Sequence, residues 1–146
     1  MDNQVFITVM SGVSVFVIGQ MVLKLVLEPI INLKSTFGEI SGLFLREQPE
    51  IIGAKASDVT REEIFRFSAL LLAQKSTIPF YGVTRMFFGL PSTKSLISAA
   101  RSLNRVGALV VEVAPDIGGK SKHKLILESM ENISKKLKII TDYAAL

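Results

Sequence analysis

The run from Asn3 to Leu23, NQVFITVMSGVSVFVIGQMVL, contains no charged residue, and this constrains the fold more than any other feature. A helix needs about 20 mostly apolar residues to cross the hydrocarbon core of a bilayer. We therefore expect a transmembrane helix over residues 1–28, with the core helix of a soluble domain as the alternative. A secretory signal fits less well, because no basic residue precedes the run and apolar residues continue beyond Lys24.

The distribution of charge predicts an orientation. Every Lys and Arg lies after the span, beginning with Lys24, and basic flanking residues favour the cytoplasmic side. We expect the N-terminus outside and the rest of the chain in the cytoplasm. Without Asp2 the chain has 17 basic and 12 acidic residues, a net charge of about +5, which favours contact with anionic lipid headgroups. The absence of cysteine excludes disulfides and thiolate metal sites.

One face of the span, called the seam here, carries small or β-branched residues at heptad spacing. They are Thr8, Gly12, Val15, Gly19, Val22 and Val26. In lipid, close backbone approach along small residues supplies the packing energy between helices. The seam therefore predicts a homo-oligomer. A chance pattern is the alternative, because such residues are common in membrane helices.

Three polar side chains occur at span depth. Ser11 and Ser14 lie beside the seam, and Gln20 lies near the cytoplasmic end. An amide in hydrocarbon must find a partner, so Gln20 bonds across helices or lines a narrow aqueous path. If the spans form a pore, we expect Ser11, Ser14 and Gln20 to touch it. Lys24 would then set the charge at its cytoplasmic mouth.

The residues after the span predict an amphipathic stalk helix over residues 29–48. Glu28-Pro29 predicts a kink or short break first, because proline removes a backbone donor and disfavours a helical residue before it. Apolar residues then recur at spacings of three and four, namely Ile30, Leu33, Phe37, Ile40 and Phe44. Their stripe is expected to face another helix, and Gln48-Pro49 is expected to begin a loop.

A compact helical domain is predicted over residues 57–146. Thr60 and Glu63 have the spacing of a capping box, ahead of a helix with apolar residues at Ile64, Phe67 and Leu71. A short element follows from Ile78 to Phe88.

Ser92 or Thr93 then caps a further helix, and Ser121 begins the last one. The stretch GALVVEV, starting at Gly107, fits either a strand or the end of the preceding helix. Because no second strand is available to pair with it, the helix is favoured and the fold class is all-α.

The stretch APDIGGKS, Ala114 to Ser121, approaches a phosphate-binding loop but lacks its first glycine. A nucleotide hydrolase also needs a parallel sheet and a downstream carboxylate for magnesium, and neither fits the remaining chain. His123 is the only histidine and lies between two lysines, so it is expected at the surface. No catalytic constellation, metal site or cofactor motif is evident, and we expect a protein that is not an enzyme.

A basic grouping is the best candidate for an anionic ligand. Lys94, Arg101 and Arg105 are separated by seven and four residues, so they share one helix face, and Arg85 is expected close by. A solvated face is the alternative. A lipid headgroup or a nucleic-acid backbone could bind through charge. Few aromatic residues are interleaved with these cations, which argues against base stacking.

The order GQMVLKLVLEPIINLK, STIPFYG and GLPSTKSLISAARSLNRVG resembles a family of small bacterial single-pass membrane proteins. In outline it is also similar to the channel-forming membrane effector of the Hailong anti-phage system. The resemblance implies an inner-membrane, oligomeric ion channel in antiviral defence, kept shut by its cytoplasmic helical domain. It further implies an oligonucleotide trigger made by a partner nucleotidyltransferase.

Two functional hypotheses follow from these observations. The first is an oligomeric pore of about four subunits, since several helices must surround an axis to form one. The second is a non-conducting single-pass scaffold that recruits a cytoplasmic partner.

Overall fold

The computed structural model describes residues 2–111 and 121–143, and the described residues are helical without a strand. The helices are α1 (Asp2–Val22), a π-helical segment (Leu23–Leu27), α2 (Glu28–Arg46), α3 (Gln48–Ile52), α4 (Asp58–Thr77), α5 (Tyr81–Phe88), α6 (Thr93–Leu109) and α7 (Lys122–Leu137). The chain therefore consists of one long apolar N-terminal helix followed by a helical bundle, which confirms the all-α prediction.

The first helix continues without a break into the bundle. The break that was one alternative at Glu28-Pro29 does not occur, since α1, the π-helical segment and α2 follow one another directly, and the departure from regular α-helical geometry lies in the π-helical segment just before the proline. Pro29 lies at the start of α2, and the amide of Glu28 donates to the carbonyl of Leu23, five residues earlier. The wider turn accommodates proline, which in an ordinary helix clashes with the preceding turn.

One described helix has the length and apolarity to cross a membrane. It extends from Asn3 to Arg46, and its most apolar 18-residue window has a mean hydropathy of 2.1 with no buried residue. This agrees with the span predicted from the uncharged run and is compatible with a single-pass membrane protein.

Helix α2 is a core element of the bundle rather than a separate stalk. Its predicted apolar stripe is buried in full, with Leu43 and Thr36 beside it. The side chains of Glu39, Leu43 and Phe67 line one groove between α2 and α4. The stripe thus does face another helix, and that helix belongs to the same chain.

Helix α6 packs antiparallel to both α4 and α7. The hydroxyl of Ser68 donates to the carbonyl oxygen of Ala100 at 2.9 Å, which joins the middles of α4 and α6. Asn132 of α7 donates to the hydroxyls of Ser98 at 3.1 Å and Ser102 at 2.7 Å. The bond of Ser68 is buried and those of Asn132 are partly buried, and together they join α6 to both neighbouring helices.

Gly107 permits the closest approach between α4 and α6. A Cβ atom built on Gly107 would lie 2.9 Å from Cε1 of Phe65. Helix α6 continues to Leu109, with Val110 as its C-terminal cap. The described part of GALVVEV is therefore the end of a helix, as favoured from the sequence, while residues 112 and 113 lie outside the described residues.

The two ends of the bundle are distinct. Helix α4 runs antiparallel to α2, because Glu63 near its start approaches Arg46 at the end of α2, at 3.9 Å between Oε2 and Nη2. The end where α1 joins, called the α1 end here, therefore holds the end of α4, helix α5 and the start of α6. The opposite, distal end holds α3 and the starts of α4 and α7, where Nδ1 of His123 lies 2.6 Å from the carbonyl oxygen of Ile52.

Several helix boundaries differ from the sequence expectations. The N-cap of α4 is Ser57, whose hydroxyl accepts from the amide of Thr60 at 3.1 Å, so the predicted capping box at Thr60 is wrong by three residues. A short helix, α3, replaces the loop expected at Gln48-Pro49. Ser92 caps α6 as predicted, and Gly89 ends α5 with a φ of 65°, a conformation that glycine adopts without steric cost.

Replacing Phe67 by Ala should destabilise the bundle by about 3–5 kcal/mol, because a fully buried aromatic ring is lost and a cavity remains. Leu72 lies on the same helix but is 41% exposed, so Leu72→Ala is the matched control with a much smaller effect. Thermal unfolding of the full-length protein in detergent, followed by circular dichroism, measures both. Equal losses from the two substitutions would contradict the assigned core.

Candidate functional site

The seam on α1 is accessible to another helix. Thr8, Gly12, Val15 and Gly19 are all exposed, and they share one side of a helix that turns by about 100° per residue. A Cβ atom added at Gly12 or Gly19 meets no atom within 4 Å. Nothing within the described chain therefore occupies the narrow surface that these glycines create.

The seam is shorter than the sequence pattern suggests. Val22 ends α1, and Val26 lies within the π-helical segment. Val26 is partly buried and packs against the core of the bundle. Val26 is therefore less accessible to another copy than the exposed residues of the seam.

Two hydroxyl groups of α1 are satisfied within the helix. Thr8 donates to the carbonyl oxygen of Gln4 at 2.8 Å, and Ser14 donates to that of Met10 at 2.7 Å. Such bonds to the preceding turn remove the need for a partner in lipid. These hydrogen bonds could have been foreseen from the sequence, because serine and threonine hydroxyls commonly bond to the carbonyl of the preceding turn inside helices.

Gln20 differs from these hydroxyl residues. Its side chain is exposed, and no hydrogen bond joins it to any residue of the described ranges. Nine residues separate it from Ser11, which places the two on opposite sides of the helix at about 100° per residue. Lys24 lies one turn later, and both residues border an open groove of about 590 Å³ with Phe16, Val17, Met21 and Leu25. The polar surface of the span is therefore a short patch near its end.

The candidate cations form two groups along the bundle. Lys94, Arg101 and Arg105 are exposed on one face of α6, as predicted. Arg101 and Arg105 lie about 10 Å and about 16 Å from Lys94 along the helix axis at 1.5 Å per residue. Arg85 joins Lys94 only, and these two border one open groove of about 470 Å³.

Tyr81 forms the wall of this groove and is held in place by neighbouring groups. Its hydroxyl donates to the carbonyl oxygen of Pro91 at 2.7 Å, and Nζ of Lys75 lies 5.5 Å from the centre of its ring. Burial raises the pKa of Tyr81 above its ordinary value of 10.0, while the charge of Arg85 opposes this shift. Tyr81 therefore remains a neutral donor at physiological pH.

Sequence reasoning missed an apolar surface beside this groove. Helix α5 buries Tyr81 and Thr84 but exposes most of its other apolar side chains. The local signal was the run Met86-Phe87-Phe88 between two turns, which was interpreted only as a short helical element.

The described residues hold no group of three or more His, Asp or Glu side chains placed to bind a metal. His123 is exposed, as predicted. Ser121 is the N-cap residue of α7, whereas Ala114 to Lys120 of the phosphate-loop-like stretch lie outside the described residues. Comparisons with protein-family models, with curated proteins and with solved structures return no match.

Replacing Gly12 and Gly19 together by Leu should shift the protein towards smaller assemblies, because the larger side chains hold helices apart at the seam. The open space around both glycines means that the fold of the single chain should tolerate the change. Light scattering in detergent measures the assembled mass. Val13→Leu with Val17→Leu on the opposite side is the control, and an unchanged mass for the glycine variant would contradict the seam.

Proposed function

We infer that this chain is a single-pass membrane protein whose spans assemble into a pore controlled by the helical bundle. The observation that carries this proposal is Gln20, a polar amide at span depth with no partner in the described chain. Leaving such a group unpaired in hydrocarbon costs several kcal/mol. Assembly around an axis offers the amide either a neighbouring copy or a file of water.

Lys24 supports the same proposal. Lys24 follows Gln20 by one helical turn and lies on the same side of the helix as Gln20. In an assembly of about four copies, a ring of lysines would lie at the cytoplasmic mouth. Such a ring would repel cations and concentrate anions, because charged rings at a pore entrance select by sign.

The continuous helix supplies a route for control. Helix α2 is buried in the bundle and joins α1 through the π-helical segment without a loop. A displacement of the bundle would therefore rotate or tilt the span directly. π-Helical segments are frequent at functional positions in helices, and Leu23–Leu27 is the element on which such a change would act.

A role in anti-phage defence is part of the proposal and is supported by the resemblance to the Hailong membrane effector. An oligonucleotide from a partner nucleotidyltransferase would then be the trigger. Arg101 and Arg105 are the candidate contacts to its phosphates, whereas Arg85 and Lys94 form a separate group beside α5. Residence in the bacterial inner membrane, with the N-terminus outside, is supported by the basic residues that follow the span.

A non-conducting scaffold is the second candidate, and the chemistry of α1 favours it. Apolar side chains surround α1 on nearly all sides, and the hydroxyls of Thr8 and Ser14 are satisfied within the helix. A helix of this kind can anchor a bundle at the membrane without lining water.

Ion flux through liposomes containing the full-length protein distinguishes the two candidates. Flux that Gln20→Leu alters and Gln4→Leu does not would support a pore with Gln20 beside its path. Gln4 is the matched control because it lies on the same helix at its outer end. Liposomes that stay sealed at a confirmed high protein load, with or without a bundle-deleting truncation, would overturn the pore in favour of the scaffold.

A further inference from the structure

Helix α5 exposes a continuous apolar face that the bundle leaves uncovered. Its members are Phe80, 86% exposed, Met86, 83%, Phe87, 78%, and Val83, 61%. Soluble surfaces rarely leave several large apolar side chains together in water, and such patches usually mark a protein or membrane contact. We call these four residues the α5 face.

The α5 face lies at the α1 end of the bundle. From Glu63, which approaches Arg46, helix α4 runs back along α2 for fourteen residues to Thr77, a distance of about 21 Å. The end of α4 is therefore level with Asn32, which lies about 12 Å from Lys24 along the axis of the N-terminal helix. Ile78 is buried in the same core as Ile30, and α5 begins three residues later.

The part of the chain that carries the α5 face has basic residues only. From Ile64 to Val111 the chain carries six basic residues and no acidic residue. Arg85 lies on α5 itself, and Lys94 faces it across their shared groove. Neither cation forms an ion pair within residues 2–111 and 121–143, so both are free to meet an anion.

The backbone turns Phe80 outward at a steric cost. Phe80 has a φ of 49°, a left-handed conformation that is an outlier for a bulky residue. Its ring is almost fully exposed, so packing within the chain does not compensate this strain. Strained residues of this kind are concentrated in segments that contact a ligand or partner.

We propose that the α5 face docks on the anionic bilayer surface from which α1 emerges. Phe80, Met86 and Phe87 enter the boundary between headgroups and acyl chains, while Arg85 and Lys94 contact lipid phosphates. Amphipathic elements with apolar and basic residues bind anionic interfaces in this way. The contact ties the bundle to the membrane at a second point, and it holds whether or not the assembled spans conduct ions.

The bilayer fits this face better than a second copy of the chain. Two copies meeting at their α5 faces would bring Arg85 and Lys94 of one copy against the same cations of the other, and like charges oppose such contacts. An anionic leaflet instead complements them. The bundle already packs on Val26, two residues beyond Lys24, so the face is held near the surface.

Lipid-borne quenching tests this proposal in the full-length protein. The chain has no cysteine, so Met86→Cys can carry a single bimane fluorophore on the α5 face. Val59→Cys is the control, because Val59 is 77% exposed at the distal end. Both proteins are placed in vesicles of phosphatidylcholine alone, or of equal parts phosphatidylcholine and phosphatidylglycerol, with a shallow nitroxide-labelled lipid in each.

The proposal expects quenching at position 86 that is stronger in the phosphatidylglycerol vesicles, and none at position 59. In the same vesicles, Arg85→Gln with Lys94→Gln should reduce quenching at position 86. Arg101→Gln with Arg105→Gln removes the same charge farther along α6 and should leave it unchanged. Raising the salt from 0.1 M to 1 M shortens the Debye length from about 10 Å to about 3 Å. This change should also reduce quenching at position 86.

Three results would overturn the proposal. The first is equal quenching at positions 86 and 59. The second is quenching at position 86 that does not depend on phosphatidylglycerol. The third is fluorophore shielding at position 86 without lipid quenching but with energy transfer between labelled copies, which would assign the α5 face to contact between chains.

Discussion

The packing of α2 in the bundle is the interaction on which the rest of the structure depends. Six apolar residues of α2 are buried in the core of the bundle, although α2 continues directly from the exposed apolar helix α1. Because no flexible linker separates the two, this burial determines where the bundle lies relative to the span. It also determines that α5 and the start of α6 lie at the α1 end.

The segment that joins α1 to the bundle combines three features within a short length of chain: polar side chains, a proline and a π-helical segment. Gln20 and Lys24 bring polar groups to the end of the apolar run, and Pro29 interrupts the regular hydrogen-bond pattern. The π-helical segment between them accommodates the proline while keeping the backbone bonded, as shown by the bond from Glu28 to Leu23. The amide of Glu28 therefore stays bonded across this segment, as an apolar environment would require.

The two ends of the bundle differ in the side chains that they expose. At the distal end, Glu47 and Glu63 lie beside Arg46. The α1 end combines Arg85 and Lys94 with exposed aromatic rings. The exposed aromatic rings therefore distinguish the α1 end, since basic residues such as Lys55 and Arg61 also occur at the distal end.

The amino-acid sequence by itself determined the helical class and most of the core, because both depend on apolar residues recurring at helical spacing, and its uncharged run determined the long apolar N-terminal helix. The buried residues Ile64, Phe67, Leu71, Leu96, Leu103 and Ile133 all follow this pattern. Gln20 and the cations of α6 were likewise found as residue types at a stated spacing.

Tertiary structure alone decided which elements share an end and which surfaces remain open. No periodicity reveals that α4 runs back along α2, since that depends on contacts such as Arg46 with Glu63 between distant residues. The exposure of Phe80 and Phe87 was hidden for the same reason, because an apolar residue on a short helix is buried or free according to its neighbours in space. The separation of Lys94 with Arg85 from Arg101 and Arg105 also required those neighbours.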